Sequence, residues 1–136
     1  MAIDRSIAAY DSLVVCKFTT YPWGGVSIKN LVGIINSVTG WDITPTELIT
    51  NGERILNLCR AFNIREGARR EDDVLPQRLM EPLPEGLFKG EAIPKEVLDS
   101  MLDCYYDYRG WDKETGIPTK TKLEELGLKY VADQLM

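Results

Sequence analysis

Apolar residues recur three and four positions apart along most of the chain, and no alternating pair of segments is persuasive, so the pattern predicts helices rather than strands. Over residues 3–18 the apolar positions Ile7, Ala8, Leu13, Val14 and Val15 mix helical with continuous spacing. The run then meets Tyr21-Pro22-Trp23-Gly24-Gly25, a breaker cluster that reads as a loop. Ser27 is placed to cap a short helix carrying Ile28, Leu31, Val32, Ile35 and Val38, with Gly40 as its stop. Thr44-Pro45-Thr46-Glu47 follows as a capping box with proline at the first helical position. Beyond it Leu48, Ile55, Leu56, Cys59 and Phe62 share one face. Gly52 inside this helix costs about 1 kcal/mol relative to alanine, which makes sense where a second helix approaches closely.

Residues 63–80 differ in character, with Arg65, Glu66, Arg69, Arg70, Glu71, Asp72, Asp73 and Arg78 crowded together and Pro76 interrupting. Two readings stay open here: a solvated turn with paired charges, or arginines partly buried against acidic partners in a larger assembly. Residues 81–94 hold Pro82, Pro84 and Pro94 with Gly86 and Gly90, an extended connector. Pro94 opens a helix with Val97, Leu98, Met101, Leu102, Tyr105 and Tyr108 on its apolar side, ended by Gly110. A last short helix over 119–126 stops at Gly127 and leaves a tail containing Leu128, Tyr130 and Leu135. The whole predicts one all-α, helical bundle-like domain over 1–136 with long Pro/Gly-rich connectors.

Composition narrows what such a domain does. The 136 residues include no histidine, which removes from this chain any Ser-His-Asp or Cys-His nucleophile and any His-based zinc site. A formal net charge of −5 argues against electrostatic binding to nucleic acid or to an anionic membrane surface. No stretch approaches the roughly 20 apolar residues that span a bilayer. Cys16, Cys59 and Cys104 are an odd, widely spaced set, unlike a secreted disulfide framework, and favour a reducing cytoplasmic setting. Cys59, on the apolar face of its capped helix, and Cys104, inside the helix of Pro94, read as packed core thiols.

Phosphate-binding glycine loops and Cys-x-x-Cys pairs are absent from the sequence, and the adjacent carboxylates Asp72 and Asp73 point different ways on a helix. The aromatic cluster Tyr105-Tyr106 with Tyr108-Arg109-Gly110-Trp111-Asp112 reads first as packing at a helix end. One run is chemically suggestive: Asp11-Ser12-Leu13-Val14-Val15-Cys16-Lys17-Phe18. Its spacing alone admits a capping aspartate and a core cysteine. It also admits a thiolate that ligates a soft metal centre and a carboxylate that accepts from a cofactor's N–H groups.

That run, together with Gly52-Glu53-Arg54 and Asn57, Phe62-Asn63-Ile64-Arg65-Glu66-Gly67 and Asp72-Asp73-Val74-Leu75-Pro76-Gln77-Arg78, resembles the C-terminal domain of the tungsten-dependent aldehyde ferredoxin oxidoreductase family. Glu81-Pro82-Leu83-Pro84, the Arg109-Gly110-Trp111-Asp112 block, Gly116-Ile117-Pro118 and Leu123-Glu124-Glu125-Leu126-Gly127-Leu128 continue the likeness in one order. The resemblance implies a piece of a larger enzyme that oxidises aldehydes to carboxylic acids at tungsten (or molybdenum) held by two pterins. Electrons then pass through a 4Fe–4S cluster to ferredoxin. The family pattern Asp-x-x-Gly-x-Cys falls on this chain with Asp11 as the pterin-contacting carboxylate and Cys16 as one cluster ligand. Val15 stands where a main-chain contact to the pterin is expected. Val14 stands where the family usually has glycine, so a β-branched residue replaces one that tolerates positive φ.

The other cluster cysteines of the family lie in a Cys-x-x-Cys-x-x-x-Cys stretch that this sequence lacks. The expectation is therefore an inert domain when isolated, with no cofactor bound to this chain alone, and with the remaining domains of the parent as partners. Ferredoxin would be reached through the parent, and an interdomain face around residues 11–21 would be apolar, exposed and prone to self-association. The competing reading is a free-standing, non-catalytic helical interaction module.

Overall fold

In the computed structural model, which describes residues 2–19 and 25–135, the architecture is all-α. The helices are α1 (Ala2–Ser12), α2 (Ile28–Thr39), α3 (Pro45–Arg65), α4 (Gln77–Met80), α5 (Lys95–Arg109), α6 (Lys120–Glu125) and α7 (Lys129–Leu135). Short 3-10 turns stand at Lys17–Thr19 and Arg70–Asp72, and the only β pairing among the described residues is one isolated bridge between Trp111 and Pro118. Of the breaker cluster at 21–25, all but Gly25 lies outside the described residues.

The local signals act where the sequence puts them. Ser27 accepts from the N–H of Asn30, and Gly40 ends α2 in the left-handed region at φ 75°. The capping box at α3 is complete: Glu47 N–H donates to Thr44 Oγ1 at 3.2 Å, and Thr44 N–H donates to Glu47 Oε2 at 2.7 Å. Residues 81–94 form a turn-rich connector, and α5 starts directly after Pro94. The tail beyond Gly127 is not irregular, as the sequence led us to expect, but forms α7. Its Val131 and Ala132 are buried beside Leu123, Leu126 and Leu128.

Four helices end in the same corner. In this motif the first residue past the helix adopts a left-handed conformation, and two N–H groups turn back to the last carbonyls. At α3 the corner residue is Gly67, with N–H bonds from Gly67 to Ile64 and from Ala68 to Asn63. At α5 it is Gly110, with bonds to Asp107 and from Trp111 to Tyr106, and at α6 it is Gly127, with bonds to Glu124 and from Leu128 to Leu123. At α1 the N–H of Val14 bonds to Asp11 and that of Val15 to Tyr10, so the corner residue is Val14, at φ 58°. It is the only non-glycine residue among those described with positive φ, in a region that costs an L-residue with a Cβ about 1–2 kcal/mol.

The apolar core is split. One cluster joins α1, α2 and α3 through Ala9, Tyr10, Leu31, Val32, Ile35 and Leu48. The other joins α3 to α6 and α7 through Ala61, Leu123, Leu126, Leu128, Val131 and Ala132. Between them, the face of α3 that turns inward carries Gly52, Glu53, Asn57 and Arg60, all buried. The face predicted from Leu48, Ile55, Leu56, Cys59 and Phe62 is therefore only partly right: Leu48 is buried, but Phe62 is 54% exposed and Cys59 is exposed.

α1 crosses α3 at Gly52. A Cβ there would stand 1.9 Å from the carbonyl oxygen of Arg5 and 3.3 Å from the nitrogen of Ala9. The close helix approach suspected from this glycine is thus its function in the fold.

Candidate functional site

The turn that follows α1 gathers the residues singled out in the sequence. Asp11, in the last turn of α1, and Cys16, two residues past the Val14 corner, both present exposed side chains. Val15 is half-buried and packs against the α1–α2–α3 cluster, the apolar contact that usually accompanies this kind of helix end. Its N–H is taken by the Tyr10 carbonyl at 3.1 Å. The Cys16 carbonyl accepts from Thr19 twice, at 2.9 Å from its N–H and 2.7 Å from its hydroxyl. The Thr19 carbonyl in turn accepts from Val26 N–H at 2.8 Å, and the Tyr10 hydroxyl donates to the Val26 carbonyl at 3.2 Å. The turn is tied at both ends, so Asp11 and Cys16 are held on one rigid surface element. Val14 and Phe18 on the same element are 94% and 70% exposed, as expected of this face. Tyr21, at the far edge of that face, lies outside the described residues.

Cys59 and Cys104 correct the sequence reading, because both are exposed rather than packed in the core. On α3 the buried stripe turns toward Gly52, Glu53 and Asn57, and on α5 the buried residues are Tyr106 and Arg109, so each thiol faces away. Among the described residues no group of three or more His, Cys, Asp or Glu side chains is arranged to hold a metal ion. Nor is any helix long and apolar enough to cross a membrane.

A second, polar constellation was missed in the sequence. Arg109 is fully buried and donates from Nη1 to Glu53 Oε2 at 2.6 Å and from Nη2 to Asp4 Oδ2 at 2.5 Å. Asn57, also fully buried, donates to the Glu53 carbonyl and accepts from the Trp111 indole at 2.8 Å. Arg60 grips Asp73 with both terminal nitrogens, at 2.9 and 2.6 Å, and donates from Nε to the Gly116 carbonyl at 2.8 Å. The Tyr106 hydroxyl donates to the same Asp73 carboxylate. Arg70 lies over the Tyr106 ring and pairs with Asp103 at 2.7 Å. For Arg60 and Arg70 the acidic partners are thus within the chain, whereas Arg65, Arg69 and Arg78 are exposed. A cue was available: Glu53, Asn57, Arg60 and Ile64 recur at helical spacing, a stripe that reads as solvent-facing until its partners are known.

These contacts set the titration of the fold. Burial pushes the Asp73 carboxyl up, but hydrogen bonds from Arg60 and Tyr106 outweigh it and hold the group below the usual aspartate value. Asp4 behaves alike: burial raises it, and the hydrogen bond from Arg109, a backbone hydrogen bond and the Arg109 charge together more than offset this. Their contribution to stability is complete above the unfolded aspartate value near 3.8 and is lost as pH falls through the lower folded values. Tyr106, raised by burial and by its bond to Asp73 to about 12, works in the opposite direction. Its contribution is complete below the ordinary tyrosine value of 10.0 and is lost as pH rises through 12. A series of urea midpoints should therefore decline at both extremes, and Asp73→Asn should flatten both limbs. Unchanged limbs in that variant would show that the network is not the cause.

A cleft of about 580 Å³ lies between the 69–74 turn, Met80 and α5, lined by Arg69, Arg70, Val74, Leu98 and Leu102 among others. Neither Asp11 nor Cys16 lines it, and two cations on its wall are already paired, Arg70 with Asp103 and Lys95 with Asp99. The Asp11–Cys16 turn remains the stronger candidate.

Comparison with known proteins bears on the chain as a whole. Residues 2–128 match a protein family described as aldehyde ferredoxin oxidoreductase, domains 2 and 3. The tungsten-containing aldehyde ferredoxin oxidoreductase of Pyrococcus furiosus is 42% identical over 123 residues, covering 89% of this chain and 19% of that protein. The aliphatic sulfonate oxidoreductase, WOR-like subunit, of the same organism is 37% identical, covering 89% of the chain and 20% of the relative. Among solved structures, the active-site complex BamBC of benzoyl coenzyme A reductase with 1,5-dienoyl-CoA aligns with a TM-score of 0.77 and 32% identity, over 93% of this chain and 18% of that one. The chain thus spans about a fifth of the length of the relatives it matches.

Proposed function

Because this chain belongs to the aldehyde ferredoxin oxidoreductase family, within the part described as domains 2 and 3, we propose that it lends one cysteine and one aspartate to a cofactor site shared with the rest of a tungstopterin enzyme. Cys16 is the ligand to a 4Fe–4S cluster, and Asp11 accepts hydrogen bonds from a pterin. The observation that carries the reading is that a thiol and a carboxylate, both exposed, stand on one turn that is tied to α1, Thr19 and Val26. That donor set fits a shared site and not a self-contained one: one thiolate is a quarter of the ligands a 4Fe–4S cluster needs. With its N–H taken by Tyr10, Val15 has its carbonyl oxygen to offer for main-chain contact.

The group so held supplies two-electron oxidation of an aldehyde with water to a carboxylic acid, two protons and two electrons, the electrons leaving to ferredoxin. This chain's part is to fix the positions of Asp11 and Cys16. Tungsten is the metal in the name of the Pyrococcus furiosus aldehyde ferredoxin oxidoreductase, and molybdenum has the same ligand chemistry. With a net charge of −5 the chain would repel an acidic ferredoxin, so ferredoxin docking falls to other domains. A reducing cytoplasm suits three free thiols.

In the complete enzyme, Cys16→Ala should abolish the stoichiometric 4Fe–4S signal in iron content and in the reduced-state EPR spectrum. Asp11→Asn should leave iron intact and weaken pterin retention. The isolated chain, reconstituted with iron and sulfide, should give no stable four-iron absorbance. Four irons retained by the Cys16→Ala enzyme, or a stoichiometric cluster on the isolated chain, would overturn the assignment.

A further inference from the structure

The corner at Val14 combines two costs that nothing among the described residues offsets. Three equivalent helix ends, at Gly67, Gly110 and Gly127, fill the left-handed position with glycine, and α1 alone fills it with a β-branched residue. The side chain that causes the strain is 94% exposed, so its methyl groups gain almost no packing. Strain held at a sparsely populated conformation persists where the surroundings over-determine it, and such positions cluster at functional sites. Val14 lies three residues after Asp11 and two before Cys16, in the turn whose hydrogen bonds fix both. Along the chain the valine thus stands between the carboxylate and the thiol, on the same exposed turn.

We infer that Val14 is a positioning residue of the cofactor site, its isopropyl group acting as an apolar spacer that keeps water out from between the group met by Asp11 and the cluster ligated by Cys16. The inference rests on the assignment of Asp11 and Cys16 made above and adds to it a residue that neither ligates nor hydrogen-bonds. Iron–sulfur potentials respond to solvent exposure near the sulfurs, so a dry spacer beside the ligating cysteine is a means of holding the potential low.

Two substitutions separate strain from dryness. Val14→Gly relieves the corner and removes the spacer. Val14→Thr keeps the branched shape and the strain but puts a hydroxyl in place of one methyl. In the isolated chain, the unfolding constant should fall about tenfold for glycine and stay within about twofold for threonine. In the holoenzyme, both should move the cluster midpoint potential to more positive values and shorten its lifetime under a chelator, glycine more than threonine. An unmoved potential and lifetime in Val14→Gly would overturn the inference, as would the absence of any stabilisation in the isolated chain. Failure of the underlying assignment is read separately, from full iron retention in Cys16→Ala.

Discussion

Replacing Arg109 with alanine should destabilise the domain by about 3–5 kcal/mol, the range seen when one partner is removed from a buried ion pair. The side chain has no exposure to solvent, and its two terminal nitrogens are bound to Glu53 and Asp4. Without it Glu53, 7% exposed, keeps only Asn57 at 3.2 Å and Lys122 at 3.7 Å as partners for its carboxylate. Since a whole domain is stable by about 5–15 kcal/mol, the loss would leave a marginal fold. The measurement is the urea midpoint at pH 7 with the slope checked for constancy. A companion double variant, Arg109→Met with Glu53→Gln, removes both charges and should recover a large part of the deficit. A loss below about 1 kcal/mol in Arg109→Ala, the scale of an exposed pair, would show that the cluster behaves as a surface salt bridge.

Gly52→Ala should be nearly as damaging, against the intrinsic trend. In an isolated helix the change would stabilise by about 1 kcal/mol. Here the added methyl meets the Arg5 carbonyl carbon at 2.8 Å and its oxygen closer still, both backbone atoms with no rotamer to escape into. α1 has to move off α3, and overpacking of this kind costs about 3 kcal/mol. Displacement of α1 also strips Ala9 and Tyr10 from the first apolar cluster and pulls Asp4 from Arg109. The Asp11–Cys16 turn is the direct continuation of α1, so the effect should reach the site. Amide exchange over α1 should accelerate together with that of the turn. A raised melting temperature in Gly52→Ala would mean that the helices do not cross as closely as described.

How much of this was legible in the sequence depends on how local the cause was. Ser27, Gly40, the Thr44–Glu47 box and Pro94 act within a few residues of themselves, and each was read correctly. The likeness of the Asp11–Cys16 run to a known pattern placed the candidate site, and the departure at Val14 surfaced as a positive φ. The polar stripe of α3 was not legible, because its meaning depends on Asp4, Asp73, Arg109 and Trp111, brought in from elsewhere in the chain. The misreading of Cys59 has the same cause, since the buried face of α3 carries Gly52, Glu53, Asn57 and Arg60 in place of the expected Ile55, Cys59 and Phe62. On α5 the buried residues are Tyr106 and Arg109, which leaves Cys104 exposed. α7 escaped notice because it begins at Lys129, directly after the α6 corner, with no capping residue to announce it.

The blocks that carry the family likeness now have physical work assigned to them, and most of it is architectural. Gly52 lets α1 approach, Arg54 Nε donates to the Leu126 carbonyl at the end of α6, and Trp111 is fastened to Asn57. Gly116 sits where a Cβ would stand 2.2 Å from Arg60 Nη2. The Asp11–Cys16 run differs in presenting both its carboxylate and its thiol to solvent.

The contact between Asp4 and Arg109 joins residues 105 positions apart, and it has a consequence for the order of events during folding. Contacts of such long range pay their loop-closure entropy before they reward it, so they form late. α1 can wind locally, but it is seated only once α3 has formed and α5 has arrived to deliver the guanidinium. The thiol of Cys16 is therefore presented in its fixed geometry only once α5 has docked. On the assignment proposed above, cofactor insertion gated by that geometry would discriminate against chains in which α5 has not yet docked, without a separate inspection step.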